Sequence, residues 1–138
     1  MLESKTKNML ALKSLIVWAA IVVLAILNGI LREAVLTPML GITAGLLLSG
    51  LLLSALIIAV SYLTLPWLDA RRLAQLLAVG LGWVLLTLVF EFSFGLWQGK
   101  SWSVLLEAYT FKDGNIWPLV LLVTALAPYI AARLRARV

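Results

Sequence analysis

Six polar side chains interrupt runs that are otherwise apolar: Asn28, Arg32 and Glu33 in one run, Thr87, Glu91 and Gln98 in another. Asn28 and Arg32 are four residues apart, as are Thr87 and Glu91, so each pair shares a helix face. Gln98 lies seven residues beyond Glu91 on nearly the same stripe, and Gly95, four beyond, leaves an opening beside the carboxylate. An ionisable side chain at a bilayer centre costs at least about 2.5–3.5 kcal/mol and is a functional candidate by default. The chemistry within reach of this set is charge binding: a carboxyl able to exchange a proton, a guanidinium, and amides to fill the remaining hydrogen bonds.

Other chemistries drop out by composition. The chain has no histidine and no cysteine, which removes disulfides, thiolate chemistry, imidazole acid–base catalysis and the usual zinc and haem ligands. No nucleophile stands beside a base, so covalent catalysis has no candidates and the chain is not expected to be an enzyme. Glu33, Glu91, Glu107 and Asp113 are hard oxygen ligands, but no recognisable spacing joins them. Neither a metal nor a cofactor is expected.

The elements that carry these residues follow from hydropathy. Of 138 residues, 64% are hydrophobic and 12% charged, against about 45–50% and 25% in soluble domains. Mean hydropathy is +1.10. Such a chain cannot cover an aqueous surface. Charged residues cut it into four apolar segments, and a bilayer core about 30 Å thick needs roughly 20 residues of helix. One integral membrane domain over 1–138 is expected, an all-α bundle with transmembrane helices near 13–36, 40–67, 73–98 and 115–133. Runs such as Leu46-Leu47-Leu48 contradict the alternation of a barrel. The first span reads as an uncleaved signal anchor, because its apolar run is too long for a signal core and no small-residue cleavage site follows it.

Cations give the threading. Lys5, Lys7, Lys13, Arg71, Arg72, Arg133, Arg135 and Arg137 fall on one side; Arg32, Lys100 and Lys112 fall on the other. The positive-inside rule puts both termini in the cytoplasm. These cations sit at helix ends without a basic face, so anionic lipid and topology explain them, and nucleic acid is not an expected partner.

Between the third and fourth spans, Trp102, Leu105, Leu106 and Tyr109 recur at helical spacing, with Ser101 as a cap and Asp113-Gly114 as a stop. A short amphipathic interfacial helix over about 101–112 is expected, with a lid over the bundle mouth as the alternative. In the second span Gly41, Gly45 and Ser49 form a small-residue stripe for helix packing, within one chain, in a homo-oligomer or against another membrane protein. Pro38 is expected to separate the first two spans, and Pro66 and Pro128 to bend theirs.

Depth arithmetic joins the two polar sets. With Ser14 and Leu73 at one boundary, Arg32 and Glu91 each stand 18 residues beyond, roughly 27 Å up. A direct Arg32–Glu91 pair, supported by Asn28, is expected inside the bundle. The alternative has Arg32 snorkelling outward and Glu91 fixing helix register as a buried structural group.

The segments Asn28-Gly29-Ile30-Leu31-Arg32-Glu33, Phe90-Glu91-Phe92-Ser93-Phe94-Gly95, Ser101-Trp102 and Trp117-Pro118-Leu119-Val120 together resemble a family of small, uncharacterised bacterial inner-membrane proteins. The resemblance runs from Asn28 onward. It implies a bacterial four-span protein with Arg32, Glu33 and Glu91 in the shared pattern, and it carries no activity. The chain departs from that pattern at Ala108 and Thr110, which flank Tyr109, and at Asn115. Two functions are open at this point: binding or transport of a small solute or ion at the polar cluster, or a non-catalytic accessory protein whose buried charges are structural.

Overall fold

The computed structural model describes residues 2–70, 72–107, 109–110 and 116–135. Helix α1 (Leu2–Leu31) passes through a π turn (Arg32–Leu36) into a single turn, α2 (Thr37–Leu40). Then come α3 (Ile42–Leu68), α4 (Leu73–Trp97), the short α5 (Trp102–Glu107) and α6 (Trp117–Leu134). No strand occurs among the described residues. Four stretches, Asn8–Leu40, Ile42–Leu68, Leu73–Trp97 and Trp117–Leu134, are long and apolar enough to cross a membrane, and a short helix lies between the third and fourth.

Two boundaries differ from expectation. Helix α1 starts at Leu2 rather than near Lys13, because nothing from Leu2 to Asn28 is a glycine or proline and most residues favour helix. Pro38 does not separate the first two spans. It sits in the first turn of α2, where a missing donor is harmless. The preceding turn widens instead, and the Thr37 amide reaches back five residues to the Arg32 carbonyl. The break falls at Gly41, whose φ of +91° suits glycine and few other residues.

Gly41 is therefore not part of the packing stripe: it is exposed, and a Cβ there would touch nothing. Gly45 and Ser49 do pack, beginning a buried row that continues through Leu53, Ile57, Ser61 and Leu65 at four-residue steps. Such a row is the ridge used in helix-on-helix packing. Its neighbours lie within the same chain, Thr37 against Gly45 and Asn28 against Ser49. Helix α3 packs most extensively on α6, and α4 also packs on α6, where a Cβ on Gly80 would lie 1.9 Å from the Ala125 carbonyl. Both α3 and α6 continue through their internal prolines, Pro66 and Pro128.

The end of the bundle that carries Lys13 and Arg135 is tightly closed. Lys13 donates to the Trp67 carbonyl at 3.0 Å, and Arg135 donates to the Tyr62 carbonyl while its guanidinium lies 4.2 Å from that ring centroid. Apolar packing of Leu65, Leu76, Ala131 and Ala132 fills the space between. Helix α1 meets α4 over only a short seam, and beyond that seam the opposite, far end of the bundle holds a cavity.

Candidate functional site

Several hydroxyls in the bundle are satisfied within their own helix, while the buried Ser14 and Ser54 hydroxyl oxygens have no hydrogen-bond partner among the described residues. Ser61, Thr64 and Thr124 donate to carbonyls four residues back, a local bond that asks nothing of neighbours. Asn28 and Ser49 behave differently. The Ser49 hydroxyl donates to Asn28 Oδ1 at 2.5 Å, and Asn28 Nδ2 donates to the Ser49 carbonyl at 3.2 Å, binding α1 to α3. With Asn28 5% and Ser49 1% exposed, neither can turn to water instead.

Arg32 is aimed at this pair rather than outward. The guanidinium folds back along α1 over Gly29, Nη2 lying 3.7 Å from where a Cβ would stand. Nη1 is 3.5 Å from the Ser49 hydroxyl, a weak contact and the one side-chain hydrogen bond of Arg32 among the described residues. Helical side chains lean toward the N-terminus of their helix, which makes this fold-back natural.

Glu91 stands on another wall. Its Oε2 accepts from the Tyr109 hydroxyl at 2.8 Å and from Trp117 Nε1 at 2.9 Å, while Oε1 has no hydrogen-bond partner among the described residues. Burial, above all, and then the hydrogen bond to Glu91 push the Tyr109 hydroxyl well above the ordinary tyrosine range; the Trp117 donor to the same carboxylate works the other way. Tyr109 therefore remains a proton donor.

The connection that supplies Tyr109 is docked against α4. Leu105 is buried in the notch left by Gly95, where a Cβ would lie 2.3 Å from its Cδ2. Phe92 of α4 stacks on both Trp102 and Tyr109, at 5.6 and 5.8 Å between centroids. Ser101 caps the start of α5 as expected, donors and acceptors 3.3 Å apart. The helix ends at Glu107, shorter than the expected 101–112, and residues 111–115 lie outside the described set. Of the expected apolar stripe, Trp102 and Leu106 stay exposed. Leu105, between them, is buried and contributes to the cavity wall.

That cavity, of about 530 Å³, is the site. Asn28, Arg32, Thr87, Glu91 and Gln98 all line it, together with Ser49, Lys100 and Trp117. Glu33 does not: one residue beyond Arg32, it turns to the exposed face of the π segment. Thr87 is also engaged, accepting from Trp18 Nε1 at 3.1 Å and donating to the Trp83 carbonyl at 2.7 Å. Among the described residues no group of three or more acidic ligands gathers to hold a metal. Of Glu33, Glu91, Glu107 and Asp113, only Glu91 lines the cavity among the described residues, and Asp113 lies outside them.

The expected Arg32–Glu91 pair is not formed, and helix register is the reason. Trp83 Nε1 donates to the Ser14 carbonyl at 2.9 Å, and Trp18 bonds Thr87; both bonds span 69 positions. Equal height for Arg32 and Glu91 requires an offset of 59. Counted from this crossing, Arg32 lies ten residues farther along its helix than Glu91 does, roughly 15 Å at 1.5 Å per residue. The long Arg32 side chain, folding back, recovers part of that distance. Both charges reach one cavity without touching.

Lys100, Ser49 and Trp117 were not legible as cavity residues. Lys100 reads as a loop cation, Ser49 as a packing residue and Trp117 as an interfacial aromatic; Ser49 joins the polar set through Asn28 and Trp117 through Glu91, and Lys100 lines the same cavity. Comparison with protein-family models, with curated proteins and with solved structures finds no match to this chain.

Proposed function

We propose that the cavity at the far end of the bundle binds a small charged solute inside a membrane, and that the protein is a small multi-pass carrier or receptor for it rather than an enzyme. One observation carries the reading. Two opposite charges, Arg32 and Glu91, line the same cavity and are held apart by separate neutral partners. Opposite charges in a medium of low dielectric attract strongly and normally close on each other. A cavity that keeps them open offers one donor fork and one acceptor oxygen to an occupant. Its volume lies within the usual range for small-ligand sites, about 300–1,000 Å³. Cation placement supports both termini in the cytoplasm and a site in the outer half of the bilayer, and the resemblance of the sequence to small bacterial inner-membrane proteins supports that membrane.

Proteoliposomes test the transport form of this reading. Proton or monovalent-cation flux should exceed that of empty liposomes with the unmutated protein and fall to their level with Glu91→Gln, while helix content is unchanged. Flux equal to that of empty liposomes from the unmutated protein overturns it.

A second reading has its own support. Asn28 with Ser49 joins α1 to α3, and Glu91 with Tyr109 and Trp117 joins α4, the far-end connection and α6. These are the bonds of a rigid accessory bundle, in which Glu91→Gln lowers stability and leaves flux untouched.

A further inference from the structure

The cavity has an apolar half and a side door, and both bear on the class of its occupant. Below the charges its walls are Ile21, Val22, Ala25, Leu53 and Ile57. Such walls add apolar contact for an occupant that carries hydrocarbon beside its charge. Phe90 and Phe94 line the cavity and also line a second groove of about 450 Å³ on the outward face of α4, bounded by Trp18, Val89 and Trp97. The aromatic rings run as a ladder: Trp18 to Phe90 at 6.2 Å, Phe90 to Phe94 at 5.8 Å, Phe94 to Trp97 at 5.8 Å. The groove is almost wholly apolar, and apart from the half-buried Trp18 its residues are exposed where a bilayer would surround the spans. It is the natural bed for hydrocarbon that continues from something held in the cavity.

The polar half is equally specific. Arg32 presents an underused guanidinium, the fork that matches phosphate oxygens. Lys100 lines the same cavity from the turn after α4 and adds a second cation. Facing them, Glu91 Oε1 has an acceptor to offer a cationic group. A phosphate next to an amine satisfies both walls together, where a simple anion would meet Glu91 as a like charge.

We infer that the occupant is an amine-bearing glycerophospholipid of the phosphatidylethanolamine type. Its phosphate sits on Arg32 and Lys100, its ammonium on Glu91, and one acyl chain lies along the Phe90–Phe94 ladder. This rests on the cavity being a binding site, as proposed above, and names what it takes. Entry is lateral, between α1 and α4, where the seam at Trp18 and Thr87 ends.

Native mass spectrometry of the full chain in detergent tests the assignment, with phosphatidylethanolamine, phosphatidylglycerol, phosphatidylcholine and free phosphoethanolamine offered at equal concentration. The expected result is retention of phosphatidylethanolamine about tenfold above the other two lipids, and a similar loss of it in Arg32→Gln and in Lys100→Gln. Lys100 is exposed, so that variant folds even if Arg32→Gln does not. Glu91→Gln should bring phosphatidylethanolamine down to the level of phosphatidylglycerol. Equal retention of all three lipids, or undiminished retention in the Arg32 and Lys100 variants, overturns the inference. Free phosphoethanolamine bound as tightly as the diacyl lipid overturns the lipid class but leaves the solute site standing. Binding of neither overturns the lipid, and with liposome flux also at background the solute site falls as well.

Discussion

Arg32 and Glu91 line one cavity from different walls, the guanidinium leaning on Ser49 of α3 and the carboxylate held by Tyr109 and Trp117. Each charge is kept in place by neutral donors or acceptors instead of by the other. Removing a single member of a closed ion pair would leave its partner buried and uncompensated, at about 3–5 kcal/mol. In this arrangement each charge can be neutralised separately while the other keeps its own partners. That property makes the mutational tests readable, and it is what a site needs if its charges are to answer to a ligand.

Asn28 and Ser49 should behave as a coupled unit. Asn28→Ala leaves a buried hydroxyl without its acceptor, and should lower unfolding stability in micelles by about 1–2 kcal/mol. Ser49→Ala should cost about as much, and the double variant less than their sum. Coupling of about 0.6–1.7 kcal/mol is the scale for such bonds between membrane helices. Denaturant titration of the four proteins checks it; strict additivity would show that the two side chains do not act together.

Two glycines of α4 separate packing from propensity. A Cβ on Gly80 meets the Ala125 carbonyl and must push α4 off α6, whereas a Cβ on Gly82 meets nothing within 4 Å. Gly80→Ala should destabilise by about 1–3 kcal/mol, the range for overpacking. Gly82→Ala should be neutral or stabilising by up to about 1 kcal/mol, since alanine is the better helix former. Thermal unfolding of both, side by side, decides the matter, and equal effects would contradict the close approach at Gly80.

The span count was legible because hydropathy and length suffice for it, and the polar set because charge inside an apolar run is rare. Register was not. Ser14 follows the cation Lys13 and so reads as a boundary, but Lys13 is engaged with the Trp67 carbonyl and α1 is helical well before it. Indole hydrogen bonds from Trp18 and Trp83 fix the true offset, and sequence shows only that Trp83 wants a partner, not that the partner is the Ser14 backbone. Glu33 beside Arg32 carries the same signal as a site residue. Only the direction of the π turn places one inside and the other out.

Tyr109 gives a pH signature. Its hydroxyl titrates above the ordinary tyrosine value of about 10 because the folded chain buries it and points it at Glu91. Below about pH 10 both folded and unfolded chains hold this proton, and the contribution to stability is intact. Above that value the unfolded chain releases the proton first, so stability falls as pH rises. Unfolding followed with alkaline pH should therefore decline more steeply in the unmutated protein than in Tyr109→Phe. Phenolate absorbance should show one late-titrating group that this variant lacks. Identical titration curves for the two proteins would mean that the Tyr109–Glu91 bond is absent.

Pro66 and Arg135 make the last test, at the opposite end of the bundle. A proline at 66 has no amide hydrogen, so the Tyr62 carbonyl loses its helical donor. Arg135, from the end of α6, donates to that carbonyl and covers the Tyr62 ring. Arg135→Gln should cost about 0.5–1.5 kcal/mol, the net value of one such bond. Pro66→Ala supplies an amide at residue 66, which competes for the same oxygen and leaves Arg135 only its ring contact. In that background Arg135→Gln should cost about half as much, measured by the same denaturant titration. An unchanged cost would mean that the guanidinium acts through the Tyr62 ring alone, and that the far terminus of α6 is held by stacking rather than by the carbonyl that Pro66 exposes.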